Sequence, residues 1–212
     1  MEFLKYVIDL FLHIDKNLVL VIAKYGVLTY GFLFIVIFME TGFVVTPFLP
    51  GDSLLFAAGA LSAMGSLNIL LLFGLMILAA IAGDTANYWI GHFLGREVFE
   101  GKSRFFKKKY LEEAEAFYAK HGGAAIFLGR FVPIVRTFVP FVAGVSEMSY
   151  GHFITYNVLG GLTWVSLFLF GGFLFGNVPF VKANFHYVVI VIVLISIVPI
   201  VWTLVKNGLK KK

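Results

Sequence analysis

Charged side chains are scarce in the long apolar parts of this 212-residue sequence, so each one needs an explanation. Those between positions 25 and 95 and between positions 122 and 205 are Glu40, Asp52, Asp84, Arg130, Arg136, Glu147 and Lys182. A guanidinium group keeps its charge outside water, and its planar fork of N–H donors matches two phosphate oxygens. We therefore predict that Arg130 and Arg136 bind a phosphate group, because such arginines are costly at membrane depth. The alternative is an arginine that reaches the interface or forms a structural ion pair.

The carboxylates Glu40 and Asp52 belong to another part of the chain, with glycines close by that permit a turn or a broken helix. A lone ion in an apolar medium is costlier than a paired one, so we predict that they neutralise Arg130 and Arg136 when substrate is absent. Binding of an anion would release the carboxylates and favour proton uptake, so that movement of the anion would be coupled to protons. The alternatives are a permanent salt bridge and, for Asp52, an ordinary helix N-cap with Ser53.

Other polar residues within the apolar segments have no single chemical interpretation. The candidates for lining a cavity are Asp84, Tyr88, Tyr156 and Asn157. Hydrogen-bonded packing between membrane helices explains these residues equally well, and the glycines at 160–161, 172 and 176 favour close helix packing. The five histidines lack the spacing of metal ligands and the chain has no cysteine, so we predict no metal and no cofactor.

The composition indicates that these residues belong to a membrane protein. Hydrophobic residues make up 60% of the chain and charged residues 14%, whereas an average soluble domain is about 45–50% apolar and about 25% charged. The net charge of +5 comes from lysines and arginines beside apolar segments, where anionic phospholipid is a better partner than nucleic acid. We therefore predict an all-α integral membrane protein with a single domain over residues 1–212.

The apolar segments predict several membrane-spanning helices, each close to the roughly 20 residues that a bilayer requires. They lie at positions 25–38 with their flanks, 68–94, 153–175 and 185–205. Residues 1–24 predict an amphipathic helix in the interface, with 17–38 as an alternative first span. Basic residues in the amphipathic segment 96–121 and in the C-terminal tail 206–212 predict that both are cytoplasmic, and the former is expected to attract anionic phospholipid.

Two apolar segments, residues 42–64 and 122–146, contain helix breakers and are predicted to enter and leave the membrane on one side. The breakers are Pro47, Pro50, Gly51, Pro133 and Pro140. Counting crossings from the basic segments places the two hairpins on opposite sides. An offset of 85 residues aligns FAAG at 56–59 with FVAG at 141–144. The sequence thus predicts an inverted repeat with two opposed re-entrant hairpins and transmembrane helices, an architecture that places substrate between broken helices.

Several motifs in these segments resemble those of a known family. They are Glu40-Thr41-Gly42, Pro50-Gly51-Asp52, Gly83-Asp84, and Gly129-Arg130-Phe131-Val132-Pro133 followed by Arg136. Over nearly the whole chain the sequence is similar to the DedA family of VTT-domain membrane proteins, and to the subgroup from which the family takes its name. The resemblance implies two opposed re-entrant hairpins and a relationship to eukaryotic lipid scramblases. It also implies a flippase that moves undecaprenyl phosphate across the bacterial inner membrane for carrier-lipid recycling, linked to the proton-motive force.

Other functions are compatible with parts of this pattern. An enzyme is disfavoured because the chain has no H-E-x-x-H motif, no G-x-S-x-G motif and no cysteine nucleophile. A proton-coupled carrier of a small anion would also use intramembrane Glu, Asp and Arg. A phospholipid scramblase would share the fold that the resemblance implies. A structural protein would need the buried charges only to fix helix register.

Overall fold

The computed structural model of the chain describes residues 14–43, 51–94, 116, 118–146, 148–176 and 178–179. Within these ranges the regular structure is entirely helical, which confirms the predicted all-α class. The elements are α1 (Ile14–Tyr25), α2 (Leu28–Gly42), α3 (Gly51–Ala63), α4 (Ile69–Leu94), α5 (Ala124–Gly129), α6 (Pro133–Val145), α7 (Tyr150–Val165), a π-helical turn (Ser166–Phe170) and α8 (Gly171–Gly176). The predicted span 185–205, the tail 206–212 and most of the segment 96–121 lie outside the described residues.

Among the described residues, two continuous helical segments are long and apolar enough to cross a bilayer. Helix α4 has 26 residues, and α7, the π-helical turn and α8 together form a helix of 27 residues, Tyr150–Gly176. Both coincide with spans predicted from the sequence. Asn68 caps the start of α4, because its side-chain oxygen accepts the backbone N–H groups of Leu70 and Leu71 at 3.0 Å.

A turn divides the first helical region in two. Gly26 follows the last residue of α1 with a φ of +52°, a conformation that glycine adopts without steric cost, and its N–H donates to the carbonyl of Ile22. The alternative first span, residues 17–38, is therefore not one continuous helix. Lys24 lies in the last turn of α1, ahead of the turn. The described part of the predicted segment 1–24 is helical, and its place in the interface stays a prediction.

The helical chain is interrupted ahead of α6, where the sequence predicts a break. Helix α5 ends at Gly129, and Val132 is extended with φ −115° and ψ 105°, a conformation favoured before proline. Pro133 then opens α6, where the backbone needs no N–H donor. The other proline of this segment behaves differently, because Pro140 lies inside α6 and the helix continues through it to Val145.

The prediction that Pro140 breaks the segment is wrong because packing offsets the single hydrogen bond that a proline removes from a helix. Its neighbours Val139 and Phe141 are 1% and 0% exposed, so this part of α6 is fully packed. In the other predicted hairpin, Gly51 is the first residue of α3. Pro47 and Pro50 lie outside the described residues.

The chain forms two compact units, and each joins parts from both halves of the sequence. Unit 1 contains the residues up to Ile35, Pro50–Met76 and the residues from Val165 onward. Unit 2 contains Val36–Leu49 and Ile77–Trp164. The boundaries fall within α2, within α4 and near the end of α7, so these helices contribute to both units.

In unit 1, glycines allow α3 to pack directly on the π-helical turn and α8. A Cβ atom at Gly59 would overlap the carbonyl oxygen of Leu169 and lie 3.0 Å from the backbone nitrogen of Phe173. From the opposite helix, a Cβ atom at Gly172 would overlap the carbonyl oxygen of Phe56. The two helices therefore touch backbone to backbone, as small residues permit in membrane helices.

Unit 2 repeats this contact between α6 and α4. A Cβ atom at Gly144 would overlap the carbonyl oxygen of Tyr88 and lie 2.8 Å from the backbone nitrogen of His92. A Cβ atom at Gly91 would overlap the carbonyl oxygen of Phe141. Corresponding residues of α3 and α6 are 85 positions apart, as the sequence alignment predicts, and those of the partner helices are 81 positions apart. The same local geometry thus occurs twice, while opposite membrane orientation of the two copies stays a prediction.

Candidate functional site

Arg130 lies at the break between α5 and α6 and contacts α4 and α7 within unit 2. Its side chain is only 4% exposed. One guanidinium nitrogen, Nη2, donates to Oδ2 of Asp84 at 2.5 Å and to Oδ1 of Asn157 at 2.5 Å. The same nitrogen lies 3.4 Å from the carbonyl oxygen of Ala80. The buried charge therefore has its counter-ion on α4 and a neutral acceptor on α7.

Arg136, in the first turns of α6, forms a second ion pair in the same unit. Its Nη2 donates to Oε1 of Glu40, which lies in the last turn of α2 and is fully buried. The other carboxylate oxygen of Glu40 has no hydrogen-bond partner among the described residues. A buried oxygen without a donor is costly, so this carboxylate is incompletely satisfied in its pair with Arg136.

Trp164 lies against both guanidinium groups. Its ring centroid is 6.0 Å from Cζ of Arg130 and 5.7 Å from Cζ of Arg136, within the range of a cation–π interaction. These three residues, with Thr41 and Asp84, line a small cavity that has room for about one water molecule. The cavity is too small for a larger anion, which could bind only if side chains moved.

A buried asparagine holds together the backbone segments that carry the second ion pair. Asn87 of α4 donates to the carbonyl oxygen of Thr41 at 3.3 Å and to that of Thr137 at 2.7 Å. These threonines directly follow Glu40 and Arg136 in the sequence. The side chain of Asn87 therefore fixes the end of α2 relative to the start of α6.

Each of the two ion pairs joins one positive and one negative formal charge. Removal of one partner from a buried ion pair typically costs about 3–5 kcal/mol, because it leaves an uncompensated charge away from water. The complete pair is often no better than apolar packing. Ion pairs are therefore weak evidence for a purely stabilising role. We expect an anion that binds here to compete with these carboxylates, because both are acceptors for the same guanidinium donors.

Arg130 pairs with an acid that the sequence did not propose as a partner of the arginines. The sequence predicts that Asp52 is one of the two acids that neutralise the arginines, but the carboxylate in contact with Arg130 is that of Asp84. Asp84 also lines the cavity, as one of its two sequence interpretations expects. Asp52 lies in the first turn of α3 in unit 1, and its part in the site stays a prediction.

The two tyrosines predicted to line a cavity do not line the cavity beside the arginines; they belong to apolar packing. The hydroxyl of Tyr88 donates to the carbonyl oxygen of Met148, and its ring stacks on Phe153 with centroids 4.5 Å apart. Tyr156 packs against the same buried cluster. Of the two interpretations that the sequence allowed for these residues, helix packing is the one observed.

The sequence did not predict that Trp164, Thr41 and Asn87 lie beside the two ion pairs. A signal for Trp164 is present in the sequence, because it follows Asn157 by seven residues and so lies on the same helix face. Thr41 is part of the Glu40-Thr41-Gly42 motif, but its contact with the cavity depends on the tertiary fold. The hydrogen bonds of Asn87 likewise connect residues that are distant in sequence.

Comparison with known proteins gives matches across most of the chain. The VTT domain family matches residues 49–174. The chain is 49% identical to Protein DedA of Escherichia coli K12 over 210 residues, which cover 98% of this chain and 96% of that protein. It is 44% identical to a membrane protein of Mycobacterium tuberculosis H37Rv over 170 residues, 79% of this chain and 74% of that protein.

A further relative is the inner membrane protein YghB of Escherichia coli K12, 36% identical over 156 residues, which cover 73% of this chain and 71% of that protein. No solved structure gives a significant match. The family match includes α4, α6 and α7, which carry Asp84, Arg136 and Asn157. The two long apolar helices are consistent with the relatives that are named as membrane proteins. The chain belongs to the VTT-domain, or DedA, family of membrane proteins.

Proposed function

We propose that this protein is a flippase that moves undecaprenyl phosphate across the bacterial inner membrane, so that the carrier lipid is reused in envelope synthesis. Transport is linked to the proton-motive force. The observation that carries the proposal is the pair of buried arginines, each held by a carboxylate beside one cavity in unit 2. The ion pairs point to a phosphate group, and membership of the DedA family supports the polyprenyl lipid.

A phosphate monoester is a strong competitor for both arginines. It carries about −1.5 to −2 charges near neutral pH and offers three acceptor oxygens, whereas a carboxylate offers two. One phosphate group can therefore accept hydrogen bonds from Arg130 and Arg136 together. Because the cavity is too small for it, binding requires Glu40 and Asp84 to withdraw. Substrate and carboxylates are thus alternative occupants of the same arginines.

Withdrawal of the carboxylates provides a physical basis for coupling to protons. A carboxylate that loses its arginine while it stays out of water is costly as an anion and is neutralised by a proton. Glu40 and Asp84 would each take up a proton when the lipid phosphate binds. The proton-coupling role that the sequence suggests for Glu40 thus extends to Asp84, while the same role for Asp52 remains an expectation.

The repeated helix contact supports the architecture that transport requires. Transporters built from inverted repeats hold substrate near the membrane midplane, where broken helices meet. Arg130 lies at such a break, and the contacts of Gly59 and Gly144 repeat at the predicted offset. In our proposal the hairpins at 42–64 and 122–146 open toward opposite sides, and so expose the arginines to each side in turn.

We also propose a membrane location, an orientation and partners for the protein. It is a multi-pass protein of the inner membrane with its C-terminus in the cytoplasm, where the basic segment 96–121 attracts anionic phospholipid. Its partners are the polyprenyl phosphate and protons, with neither a metal nor a cofactor. The chemistry consists of binding and release, so no covalent step is required.

Flux in reconstituted vesicles tests this function. Undecaprenyl phosphate, a phospholipid and inorganic phosphate are followed in parallel, with and without a pH gradient, and protein-free vesicles give the background. We expect undecaprenyl phosphate to move at a rate that the gradient changes. Inorganic phosphate as the only transported species would indicate a small-anion carrier instead. Equal movement of both lipids without an effect of the gradient would indicate a scramblase.

A conservative change at the site sharpens the same test. Arg130→Lys keeps the positive charge but loses the planar fork, so we expect flux of undecaprenyl phosphate to fall at least about tenfold. Lys24→Arg, an exposed exchange of the same two residue types in α1, is the matched control and should leave flux unchanged. Flux in Arg130→Lys as high as in Lys24→Arg and wild type would contradict the role of the guanidinium fork.

A further inference from the structure

One face of α7 is shaped around the side chain of Arg130. Residues 157, 160, 161 and 164 have the i, i+3, i+4, i+7 spacing that places side chains on one side of a helix. At one end of this face Asn157 accepts a hydrogen bond from Arg130, and at the other Trp164 lies beneath its guanidinium group. The four positions therefore form a continuous surface against a single arginine.

Gly160 leaves the space that the side chain of Arg130 occupies. A Cβ atom at Gly160 would lie 3.1 Å from Cδ and 3.2 Å from Nε of Arg130, tighter than ordinary van der Waals contact. A Cβ atom at Gly161 would lie 3.7 Å from Cζ and from Nη2, at contact distance. A Cβ atom at position 160 would therefore require the side chain of Arg130 to shift by a few tenths of an ångström.

Asn157 is held in the orientation that receives Arg130. Its amide nitrogen donates to the carbonyl oxygen of Ile81 at 3.1 Å and to the hydroxyl of Thr85 at 3.4 Å, both on α4. With the amide nitrogen directed there, the amide oxygen faces the guanidinium group. Because the side chain of Asn157 is neutral, it holds Arg130 without compensating its charge.

We propose that this face of α7 is a guanidinium cradle, formed by Asn157, Gly160, Gly161 and Trp164, in which Asn157 is a positioning residue. It keeps Arg130 beside the cavity, with its positive charge available, after Asp84 withdraws. A carboxylate at position 157 would instead stay as a second competitor for the phosphate. The inference rests on the proposed function, because it assigns how that site presents one of its two arginines.

Asn157→Asp tests whether the neutrality of the cradle matters. Binding of undecaprenyl phosphate to the full-length protein in detergent is titrated at about pH 8 and at about pH 5, each against wild type. We expect binding at the higher pH to be about ten- to a hundredfold weaker than wild type, because the new carboxylate competes for Arg130. The loss should be smaller at the lower pH, because a carboxylate that the phosphate displaces from Arg130 is more readily neutralised by a proton there. An equal loss at both pH values, or no loss, would overturn the proposal.

The other charged groups near position 157 are the same in both proteins. Arg130 contacts Asn157, Asp84 pairs with the same nitrogen of Arg130, and Arg136 forms the neighbouring ion pair with Glu40. Their own titration is present in wild type, so the comparison at each pH separates it from the effect of the substitution. Size-exclusion chromatography shows whether the variant is folded.

Gly160→Ala tests the space in the cradle without a change of charge. We expect undecaprenyl phosphate to bind about three- to tenfold more weakly, because the methyl group displaces Arg130. Gly151→Ala is the matched control on the same helix, since a Cβ atom there meets nothing within 4 Å. If wild type binds neither undecaprenyl phosphate nor inorganic phosphate, the proposed function fails. If wild type binds and Gly160→Ala matches it, only the cradle is wrong.

Discussion

Units 1 and 2 contain the same helix contact, and in unit 2 the helices that form it also carry Asp84 and Arg136 of the two arginine–carboxylate pairs. In both units glycines bring two helices together backbone to backbone, α3 with α8 in one and α6 with α4 in the other. At the same sequence offsets, Arg136 and Asp84 of unit 2 correspond to Gly51 and Val165 of unit 1. The helix contact is therefore a scaffold that does not depend on charge. In unit 2 the two ion pairs accompany this scaffold.

The two kinds of interaction differ in what they contribute. Close glycine contacts gain van der Waals energy and weak Cα–H···O interactions, which stabilise membrane helices without polar side chains. A buried ion pair also carries the cost of removing two charges from water. We therefore expect substitutions of the glycines to affect stability in both units, and substitutions of the charges to affect unit 2 and its binding of phosphate.

The largest effect should follow from removal of one charge. Arg130→Leu leaves Asp84 buried without its counter-ion, so we expect the free energy of unfolding to fall by about 3–5 kcal/mol. The double variant Arg130→Leu with Asp84→Leu makes this part of unit 2 apolar, like unit 1, and should recover most of that loss. Denaturant titration in detergent measures both. Equal destabilisation of the single and double variants would show that the pair is not coupled.

A smaller effect, shared by the two units, should follow from filling the glycine contacts. Gly59→Ala and Gly144→Ala each place a methyl group against a backbone carbonyl, so each should lower the free energy of unfolding by about 1–3 kcal/mol. Only Gly144→Ala displaces α6, which carries Arg136, and only this variant should weaken binding of undecaprenyl phosphate. Equal loss of binding in both variants would show that the site extends beyond unit 2.

Much of the helical framework can be predicted from the sequence because it depends on local properties. An uninterrupted apolar segment predicts the long helix at 68–94, and Pro133 with the restricted residue before it predicts the break ahead of α6. Pro140 is an exception, because the structure around it depends on tertiary packing. Complete burial of the neighbouring Phe141 keeps α6 helical across a residue that would break an isolated helix.

The pairing of charges is harder to predict because it depends on which helix faces meet. The cost of a lone buried ion predicts an acid for each arginine, and Glu40 meets Arg136 although they are 96 residues apart. The cost of a lone buried ion does not favour Asp52 over Asp84 as the partner of Arg130, since each is a single acid in an apolar segment. The rotation of α4, which turns Asp84 toward Arg130, is a tertiary property.

Proton uptake during binding tests the central claim most directly, namely that a lipid phosphate replaces carboxylates at the arginines of unit 2. Undecaprenyl phosphate is added to weakly buffered protein in detergent at about pH 8, where a phosphate monoester is already ionised, and the pH change is recorded. We predict proton uptake by wild type, less uptake by Glu40→Gln, and least by Glu40→Gln with Asp84→Asn, in folded proteins that still bind the lipid. Absence of uptake by saturated wild type, or unchanged uptake in the double variant, would contradict the account.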